Sequence, residues 1–569
     1  MTRLLLLPIT CLFLILQLAG CSSSGSSDTT PPTVISQTPT TNLISQSQVF
    51  TLVFDESINT GSYSLGGTLA SVSDGGVWSQ TAVMNDTLTI SPQPSWPVDT
   101  ERTLIINARD LAGNPLATQT LTLAVYNGTL YYVSTTAVDD SGDGLTPATA
   151  KQTIMAAVNL ASDPATVVVE AGTYAVSNTG TVRITLKEGV SLYGGFNATF
   201  TDRSIGSSII TDQSSATTAL PNPNYAVLGD TGITAATLLD GFTILGAGSG
   251  SNLTAGLRMH NSAAPTVQHN TINGGSGSTT SYAIYQDTGA APLIQYNTLY
   301  GGNGGTNSIG VKSDSSSPVI MSNLIEGGSG GSSSTAIAGD SDVAMQIRAN
   351  RIFGGSGTNN SAGISAVRGT YTINNNLIHA GTGAQSRGVF NTEASTSVRN
   401  NTIYGGSGTT TAVGLEYTYS TPSGSFDIEN NIILSPSFSG ICIISTIVWA
   451  PFNNDLLCST ALYRDGVTDY LGLDGFGNLT TNADGSGAQL APPGSGNVSI
   501  DPLLVDIDGP DNDIDTMADN DWHLSALTST LISAGGLNGI DLSWSFDTDF
   551  DGVTRPASGN PWAMGAYEP

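Results

Sequence analysis

Residues 294–325 read IQYNTLYGGNGGTNSIGVKSDSSSPVIMSNLI, and this stretch decides the fold because its two ends repeat the same pattern. Asn297 and Asn323, 26 residues apart, anchor the two copies. The same asparagine recurs with spacings of 27, 26, 27, 26, 25 and 30 residues. Its seven occurrences are Asn270, Asn297, Asn323, Asn350, Asn376, Asn401 and Asn431. A regular internal repeat of this length predicts a stack of similar structural units.

Three aliphatic positions accompany each asparagine. Three residues before it stand Val267, Ile294, Ile320, Ile347, Ile373, Val398 and Ile428. Two residues after it stand Ile272, Leu299, Ile325, Ile352, Ile378, Ile403 and Ile433. About half a repeat later come Ile284, Val311, Ile337, Ile364, Val389 and Leu415. The pattern predicts three short strands per repeat, each with one side chain directed inward.

One such repeat cannot bury its apolar face alone, whereas stacked coils bury a continuous core and pair their strands at about 4.8 Å. The recurring asparagine suits a ladder of side-chain amides at a bend, where asparagine also tolerates unusual backbone angles. Runs such as NGGSG and YGGSG suit turns with positive φ. Collagen and leucine-rich repeats have other periods. We therefore predict an all-β chain whose main domain, residues 130–490, is a parallel β-helix.

The flanks of the repeats resemble a known family. Residues 131–161, YYVSTTAVDDSGDGLTPATAKQTIMAAVNLA, predict a strand, a loop and a short amphipathic helix near 151–162. This run resembles the start of pectin-lyase-like right-handed β-helices, in which such a helix caps the open end. Residues 491–569, ending in DTDFDGVTRPASGNPWAMGAYEP, resemble the closing region of bacterial surface β-helix proteins.

Residues 33–126 alternate short apolar segments with turns, as in FTLVFDESI at 50–58 and DLAGNPLATQTLTLAV at 110–125. The layout is typical of a β-sandwich and resembles bacterial Ig-like domains. Because that resemblance belongs to domains that space out surface proteins, we interpret this one as a spacer.

The first twenty residues predict a signal peptide, with Arg3 before an apolar run. Leu18-Ala19-Gly20-Cys21 resembles the lipobox of bacterial lipoproteins, which implies a lipid on Cys21 and a membrane as partner. Residues 21–32 suit a flexible tether. The resemblance implies an outer-membrane lipoprotein at the cell surface, with the periplasmic face as the alternative.

The chain carries a formal net charge of −29, so nucleic acid is not expected as a partner. Cys442 and Cys458 remain after removal of the signal and lipidation of Cys21, and in an oxidising compartment we expect a disulfide between them. Two unpaired buried thiols are the alternative. We expect a monomer and no required cofactor.

Three groups of residues are candidate sites. His260, Asp287, Asp314 and Asp340 fall on successive repeats, with Arg258 two positions before His260 and Lys312 two positions before Asp314. Carboxylates about 5 Å apart beside a cation resemble the sites of polysaccharide lyases or glycoside hydrolases built on this fold. The alternative is that these aspartates cap local turns.

The second column contains Tyr300, Phe353 and Tyr404, which fall on alternate repeats and predict rings about 10 Å apart for stacking on sugars. Aromatic residues also occur in strands for propensity alone.

The third candidate is Asp547, Asp549 and Asp551, which follow the D-x-D-x-D-G pattern. Ser558 replaces the glutamate that an EF-hand needs, so we predict at most a looser structural Ca²⁺ site, with solvated turns as the alternative.

Two functions remain open from the sequence. The first is a non-catalytic lipoprotein that presents a rigid rod for adhesion or for binding glycan or another cell-surface component. The second is a lyase or hydrolase of acidic polysaccharide that uses the aspartate column.

Overall fold

The computed structural model describes residues 28–177, 183–214, 224–248, 252–419, 426–437, 439–446, 451, 453–491, 495–511, 514, 520–525, 548–556 and 562–567. Within them the chain is almost entirely β-structure. Its one α-helix of any length, Ile154–Leu160, begins after Thr153, whose hydroxyl accepts the Ala156 N–H. Short 3₁₀ helices are Thr60–Ser62, Ala70–Val72 and Pro147–Thr149. None of the described helices is both long and apolar enough to span a bilayer.

The N-terminal module is a pair of four-stranded sheets. One contains, in spatial order, Val34–Thr38, Phe50–Phe54, Met84–Ile90 and Val77–Gln80. The other contains Leu43–Ser45, Gln119–Tyr126, Asp99–Asn107 and Ser64–Gly66. Alternate residues such as Phe50, Leu52 and Phe54 are buried, as a two-layer sandwich requires. The predicted Ig-like β-sandwich is confirmed.

The rest of the chain winds into a parallel β-solenoid of about ten turns, as predicted. Its first sheet contains Thr129–Val133, Ala165–Glu170, Val190–Phe196, Leu238–Asp240, Thr266–Gln268, Leu293–Gln295, Val319–Met321, Ala344–Arg348, Thr370–Asn374, Ser395–Arg399 and Phe426–Glu429. Its second sheet contains Gly172–Val176, Ser208–Asp212, Phe242–Leu245, Thr271–Asn273, Thr298–Tyr300, Leu324–Glu326, Arg351–Phe353, Leu377–His379, Thr402–Tyr404, Ile432–Ser435 and Asp455–Cys458.

The third sheet contains Ile184–Thr185, Asn224–Gly229, Leu253–Met259, Thr280–Gln286, Asn307–Asp314, Ser333–Asp340, Asn360–Val367, Thr382–Thr392, Ser407–Thr418, Gly440–Ser445, Ala461–Asp465 and Thr468–Tyr470. Its last strand turns back and pairs antiparallel. Two small antiparallel pairs follow in the C-terminal part: Gly472–Leu473 with Leu479–Thr480, and Leu504–Asp506 with Asp521–Leu524.

The register of the coils is the predicted one. Ile320 pairs with Ile347 on the next coil, and Ile347 with Ile373. Every member of the three aliphatic columns is at most 2% exposed. The columns therefore form one continuous core, and the helix Ile154–Leu160 packs its buried residues onto that same core.

The asparagine column forms the predicted ladder. Each side-chain oxygen accepts hydrogen bonds from the backbone N–H and the side-chain amide of the asparagine one coil earlier, as between Asn297 and Asn323 at 2.9 and 3.0 Å. The ladder extends beyond the seven predicted members to Asn454 and Asn497.

The left-handed backbone angle falls one residue earlier than the sequence suggested. His269, Tyr296, Ser322, Ala349 and Asn375 have φ between 52° and 55°, whereas the ladder asparagines do not have positive φ. The bend is thus made by the preceding residue, which frees the asparagine side chain to point inward and bond along the stack. In the GG pair that directly follows each of five second-sheet strands, the second glycine has positive φ as predicted: Gly275, Gly302, Gly328, Gly355 and Gly406, with φ from 79° to 88°.

Candidate functional site

The aspartate column lies on adjacent coils of the third sheet, and Asp314 pairs in register with Asp340. Asp287 bonds to Arg258 at 2.9 Å and to His260. Asp314 Oδ1 lies 2.8 Å from the Lys312 ammonium.

Two further contacts are made by the carboxylates of this column. Asp314 Oδ2 accepts the Tyr285 hydroxyl at 3.3 Å, and Asp340 Oδ1 lies 3.2 Å from Arg368. Each carboxylate therefore has a cation of its own. Arg258 and Lys312 are likewise paired with these carboxylates, and a catalytic role of the five residues stays a prediction.

The aromatic column is present in register, but it is not an open platform. Tyr404 is only 6% exposed; its ring stacks on His379 at 4.7 Å, and Trp522 lies 6.4 Å away. Phe353 packs against the same apolar cluster. The C-terminal part of the chain covers the outer face of the second sheet here and buries Tyr404, whereas Phe353 stays partly exposed, and sugar stacking by this column stays a prediction. Tyr300 lies on an earlier coil and stays partly exposed.

The predicted Ca²⁺ ligands are only partly described, since Asp547 lies outside the described residues. Asp549 is 4% exposed and accepts the N–H groups of Asp551 and Val553 at 3.0 and 2.8 Å. Asp551 bonds to His523 at 2.6 Å. The Asp549 carboxylate thus closes its own turn, and the structural Ca²⁺ site at these residues stays a prediction.

A different acidic group was missed by the sequence reading. Asp28, Glu56 and Asp110 lie in the N-terminal module with one oxygen each, all within 4.8 Å of one another. They come from three separate segments of the sandwich, and no local motif joins them.

Two predictions concern cysteine residues. Cys442 and Cys458 are joined by a disulfide in the structure, between the third and second sheets. Cys21 lies outside the described residues, so its lipidation stays a prediction.

A cleft of about 730 Å³ lies where the first sheet turns into the second. Its floor contains Tyr296, Ser322, Ala349 and Asn375, the left-handed residues of four successive coils. At about 4.8 Å per coil the floor extends roughly 14 Å along the solenoid axis. Residues 548–552 of the C-terminal part form the opposite wall.

The side chains at this left-handed position decide which coils are covered. On later coils the residue is asparagine: the Asn375 amide donates to the Thr548 carbonyl at 2.7 Å, and the Asn400 amide to the Ala563 carbonyl at 3.1 Å. Arg555 in turn donates to the Asn375 side-chain oxygen at 2.8 Å. The earlier coils have no such amide, and there the floor remains open.

The floor side of the cleft is cationic. Arg348 is exposed and contacts the Met321 sulfur at 3.5 Å, while the Arg351 guanidinium lies 5.9 Å from the Phe550 ring centre. Within the described part of the chain, neither arginine lies within ion-pair distance of a carboxylate. Tyr296, 51% exposed, stacks on His269 with ring centres 5.5 Å apart and adds a rigid aromatic surface.

The opposite wall is acidic, but its carboxylates are engaged. His523 bonds to Asp551 through Nε2 and to Asp521 through Nδ1. Burial lowers the pKa of His523, but the hydrogen bonds to Asp551 and Asp521 raise it above the ordinary value of 6.5. This shift favours the imidazolium, which can donate to both carboxylates. An anionic ligand on the floor would therefore meet Arg348 and Arg351, while Asp549 and Asp551 line the opposite wall and Arg351 acts electrostatically on Asp521.

Sequence reasoning missed this cleft. Arg348 and Arg351 belong to different sheets, and the wall comes from a segment about 200 residues later. One usable signal was the left-handed column itself, which changes from Tyr296, Ser322 and Ala349 to Asn375, Asn400 and Asn430.

Residues 28–127 match the family model of a bacterial Ig-like domain. No curated protein matches the chain. Among solved structures, the complex structure of XylC with xylose is 10% identical, with 77% of this chain and 98% of that chain covered and a TM-score of 0.40.

Two further similar structures carry sugar-related names. A rhamnogalacturonan lyase is 13% identical, with coverage of 57% and 87% and a TM-score of 0.31. The A-module of the mannuronan C-5 epimerase AlgE4 from Azotobacter vinelandii is 16% identical, with coverage of 53% and 86% and a TM-score of 0.28. These structural neighbours are pectate-lyase-like β-helix proteins. At such identities the likeness concerns the fold.

Proposed function

We propose that the β-helix binds an acidic polysaccharide in the cleft above Tyr296, Ser322 and Ala349, without chemically changing it. The observation that carries the proposal is the pair Arg348 and Arg351. In a chain of net charge −29, two arginines without a carboxylate at ion-pair distance among the described residues line one cleft. Guanidinium groups recognise carboxylates through paired, charge-assisted hydrogen bonds.

The remaining lining suits a sugar polymer. The ring of Tyr296 offers a flat surface for the apolar face of a pyranose, and the Gln346 and Asn374 side chains offer hydrogen-bonding groups near the arginines. A floor of roughly 14 Å accommodates about three sugar rings along the solenoid axis. Because the floor is built on paired strands, its backbone is ordered before the ligand binds, which reduces the entropic cost of association.

The non-catalytic part of the proposal rests on the charges of the aspartate column. Asp287, Asp314 and Asp340 each have a cationic partner and lie on the third sheet, whereas the cleft lies at the junction of the other two. The wall of the cleft adds Asp551, which is bonded to His523. An acid/base pair with room for a substrate between its members is not among these contacts.

We further propose that the protein displays this cleft at a membrane surface, held through a lipid on Cys21, with the Ig-like module as spacer. Protease treatment of intact cells should remove the β-helix if it faces outward. A Cys21→Ser variant should be released from the membrane fraction, and retention of that variant there would contradict the anchor.

Calorimetric titration with oligogalacturonate and oligomannuronate tests the binding function, with an uncharged cello-oligosaccharide for comparison. We expect uronates to bind and the neutral sugar not to bind. Because a hydrogen bond to a charged group contributes about 1.5–3 kcal/mol, Arg351→Gln and Arg348→Gln should each weaken binding roughly 10- to 100-fold. The affinity should also fall as salt is added.

Arg109→Gln is the matched control, because it removes the same charge from an exposed residue of the Ig-like module. Equal affinity in the double variant Arg348→Gln/Arg351→Gln and in the wild type would contradict the site. Release of unsaturated, ultraviolet-absorbing products from either uronate would contradict the non-catalytic role and favour a lyase.

A further inference from the structure

The last rung of the solenoid is formed by a segment that lies about 40 residues after the strand on which it stacks. After the strand Asp455–Cys458 the chain adds Ala461–Asp465 and Thr468–Tyr470 to the third sheet, and it returns to the second sheet only at Asn497. Asn497 Oδ1 accepts the Asn454 N–H at 3.1 Å and so ends the ladder. Val498 donates to the Asn454 carbonyl and accepts from Leu456, both at 2.9 Å. Residues 497–500 thus form the last rung on the second sheet.

Asp455 lies beneath this rung with a fully buried carboxyl group. Its Oδ1 accepts the Ile500 N–H at 3.0 Å, which ties the returning segment to the strand below. Its Oδ2 is buried and has no hydrogen-bond partner. Within the described residues no arginine or lysine pairs with Asp455, and the charged neighbour that acts on it is Asp501.

The last rung is packed into the same apolar cluster as the wall of the cleft. Val498 and Ile500 contact the cluster formed by Tyr404, Trp522 and other residues on the outer face of the second sheet, and so does Phe550. Phe550 lines the cleft. The attachment at Ile500 and the position of Phe550 therefore depend on one packed unit.

We propose that Asp455 is a pH-dependent switch that, when protonated, holds the last rung and the C-terminal cover on the β-helix and, when ionised, loosens them together with the wall of the cleft. The effect on the cleft rests on the proposed binding function; the effect on the last rung does not. A protonated carboxyl keeps its bond to Ile500 and buries no charge. An ionised one would be a buried anion without a cation and next to Asp501.

The pH dependence of the attached state follows from the difference in the pKa of Asp455 between the attached and the loosened state. Burial, with a contribution from Asp501, raises the pKa of Asp455 to about 7 from an ordinary value of 3.8. In a loosened state the carboxyl would ionise near its ordinary value. Between these two pKa values the attached state binds more protons than the loosened state, so the stability of the attached state falls as the pH rises. The equilibrium constant for opening should rise by up to about tenfold per pH unit, and this dependence levels off above pH 7.

Thermal melting of the full chain between pH 5 and 8.5 tests the switch. Asp455→Asn keeps the oxygen that accepts from Ile500 and cannot ionise, so its melting temperature relative to wild type should increase from pH 5 to 7 and then stay constant. Asp501→Asn should retain most of the wild-type dependence. A difference between Asp455→Asn and wild type that does not change with pH would overturn the proposal.

Hydrogen exchange of the wild type gives a second measurement in case Asp455→Asn does not fold. The amide of Ile500 should open about fiftyfold more readily at pH 7 than at pH 5. The amide of Ile325, in the middle of the solenoid, corrects for the intrinsic effect of pH on exchange. Equal protection of Ile500 at both values after this correction would overturn the switch.

Uronate titrations over the same pH range separate this proposal from the binding function. Loosening at Ile500 without uronate binding at any pH would support the switch and contradict the binding function. Binding whose pH dependence is identical in wild type and Asp455→Asn would keep the function and remove the switch from its regulation.

Discussion

The side-chain amide of Asn350 lies 3.0 Å from the side-chain oxygen of Asn376, one coil further along the solenoid. The Asn350 oxygen in turn accepts from both the backbone and the side-chain nitrogen of Asn323, each at 3.0 Å. The side-chain amide of Asn350 also donates to the Ile320 and Arg348 carbonyls, both at 2.9 Å. One buried residue therefore satisfies polar groups on three coils.

Replacing Asn350 with alanine should destabilise the β-helix by about 3 kcal/mol, because it leaves several buried donors and acceptors without partners. Urea unfolding measures the loss. Asn359→Ala, on the same coil but exposed, should change stability by less than about 0.5 kcal/mol. Equal effects of the two changes would contradict the importance of the ladder.

Replacing Ile347 with aspartate should unfold the coils around it. Ile347 is fully buried between Ile320 and Ile373, and an unpaired carboxylate there should destabilise the domain by more than about 4 kcal/mol. Gln346→Asp, one residue earlier and exposed, is the matched control. Limited proteolysis should cut the Ile347 variant rapidly, and a melting curve like that of wild type would count against the register.

His379 should make the protein sensitive to acid. Its complete burial lowers the pKa of its imidazole from 6.5 to about 3, while its Nδ1 accepts the Gly381 N–H at 2.9 Å. The unfolded chain therefore binds the extra proton first, and stability should fall as the pH drops from about 6.5 toward 3. This slope opposes that of Asp455.

The variant His379→Asn keeps an acceptor for Gly381 but cannot be protonated in this range. It should be less stable than wild type near pH 7, because the stack on Tyr404 is lost, yet it should lose less stability between pH 6.5 and 4. Melting temperatures of both proteins at each pH measure this. Parallel curves would show that His379 does not control the acid response.

The disulfide should stabilise the protein mainly by reducing the conformational entropy of the unfolded chain. Cys442 and Cys458 are 16 residues apart, and closing a loop of this length is worth about 3 kcal/mol. The double variant Cys442→Ser/Cys458→Ser should unfold at correspondingly lower urea. Wild type unfolded in the presence of reductant should behave like the variant, and if instead it matches the oxidised protein, the bond does not contribute.

Much of the fold could be predicted because a stacked repeat turns local sequence periodicity directly into three-dimensional contacts. Ile320, Ile347 and Ile373 had to lie on one another once the period was recognised. The same logic placed Asp314 beside Asp340 and aligned Tyr300, Phe353 and Tyr404 in one column. It did not reveal that Arg368 pairs with Asp340 or that Trp522 lies near Tyr404.

Sequence by itself determined the solenoid, its ladder and the Ig-like module, because each arises from contacts between neighbours in the repeat or within one short segment. Tertiary structure alone decided which outward faces stay open. The C-terminal segment has no repeat, and it lies across coils that precede it by 100 to 200 residues. Its docking on Asn375 and Asn400 buries Tyr404 and leaves Arg348 and Arg351 beside a cleft, and it depends on packing between distant segments, of which the repeat itself contains only the asparagines of the left-handed column.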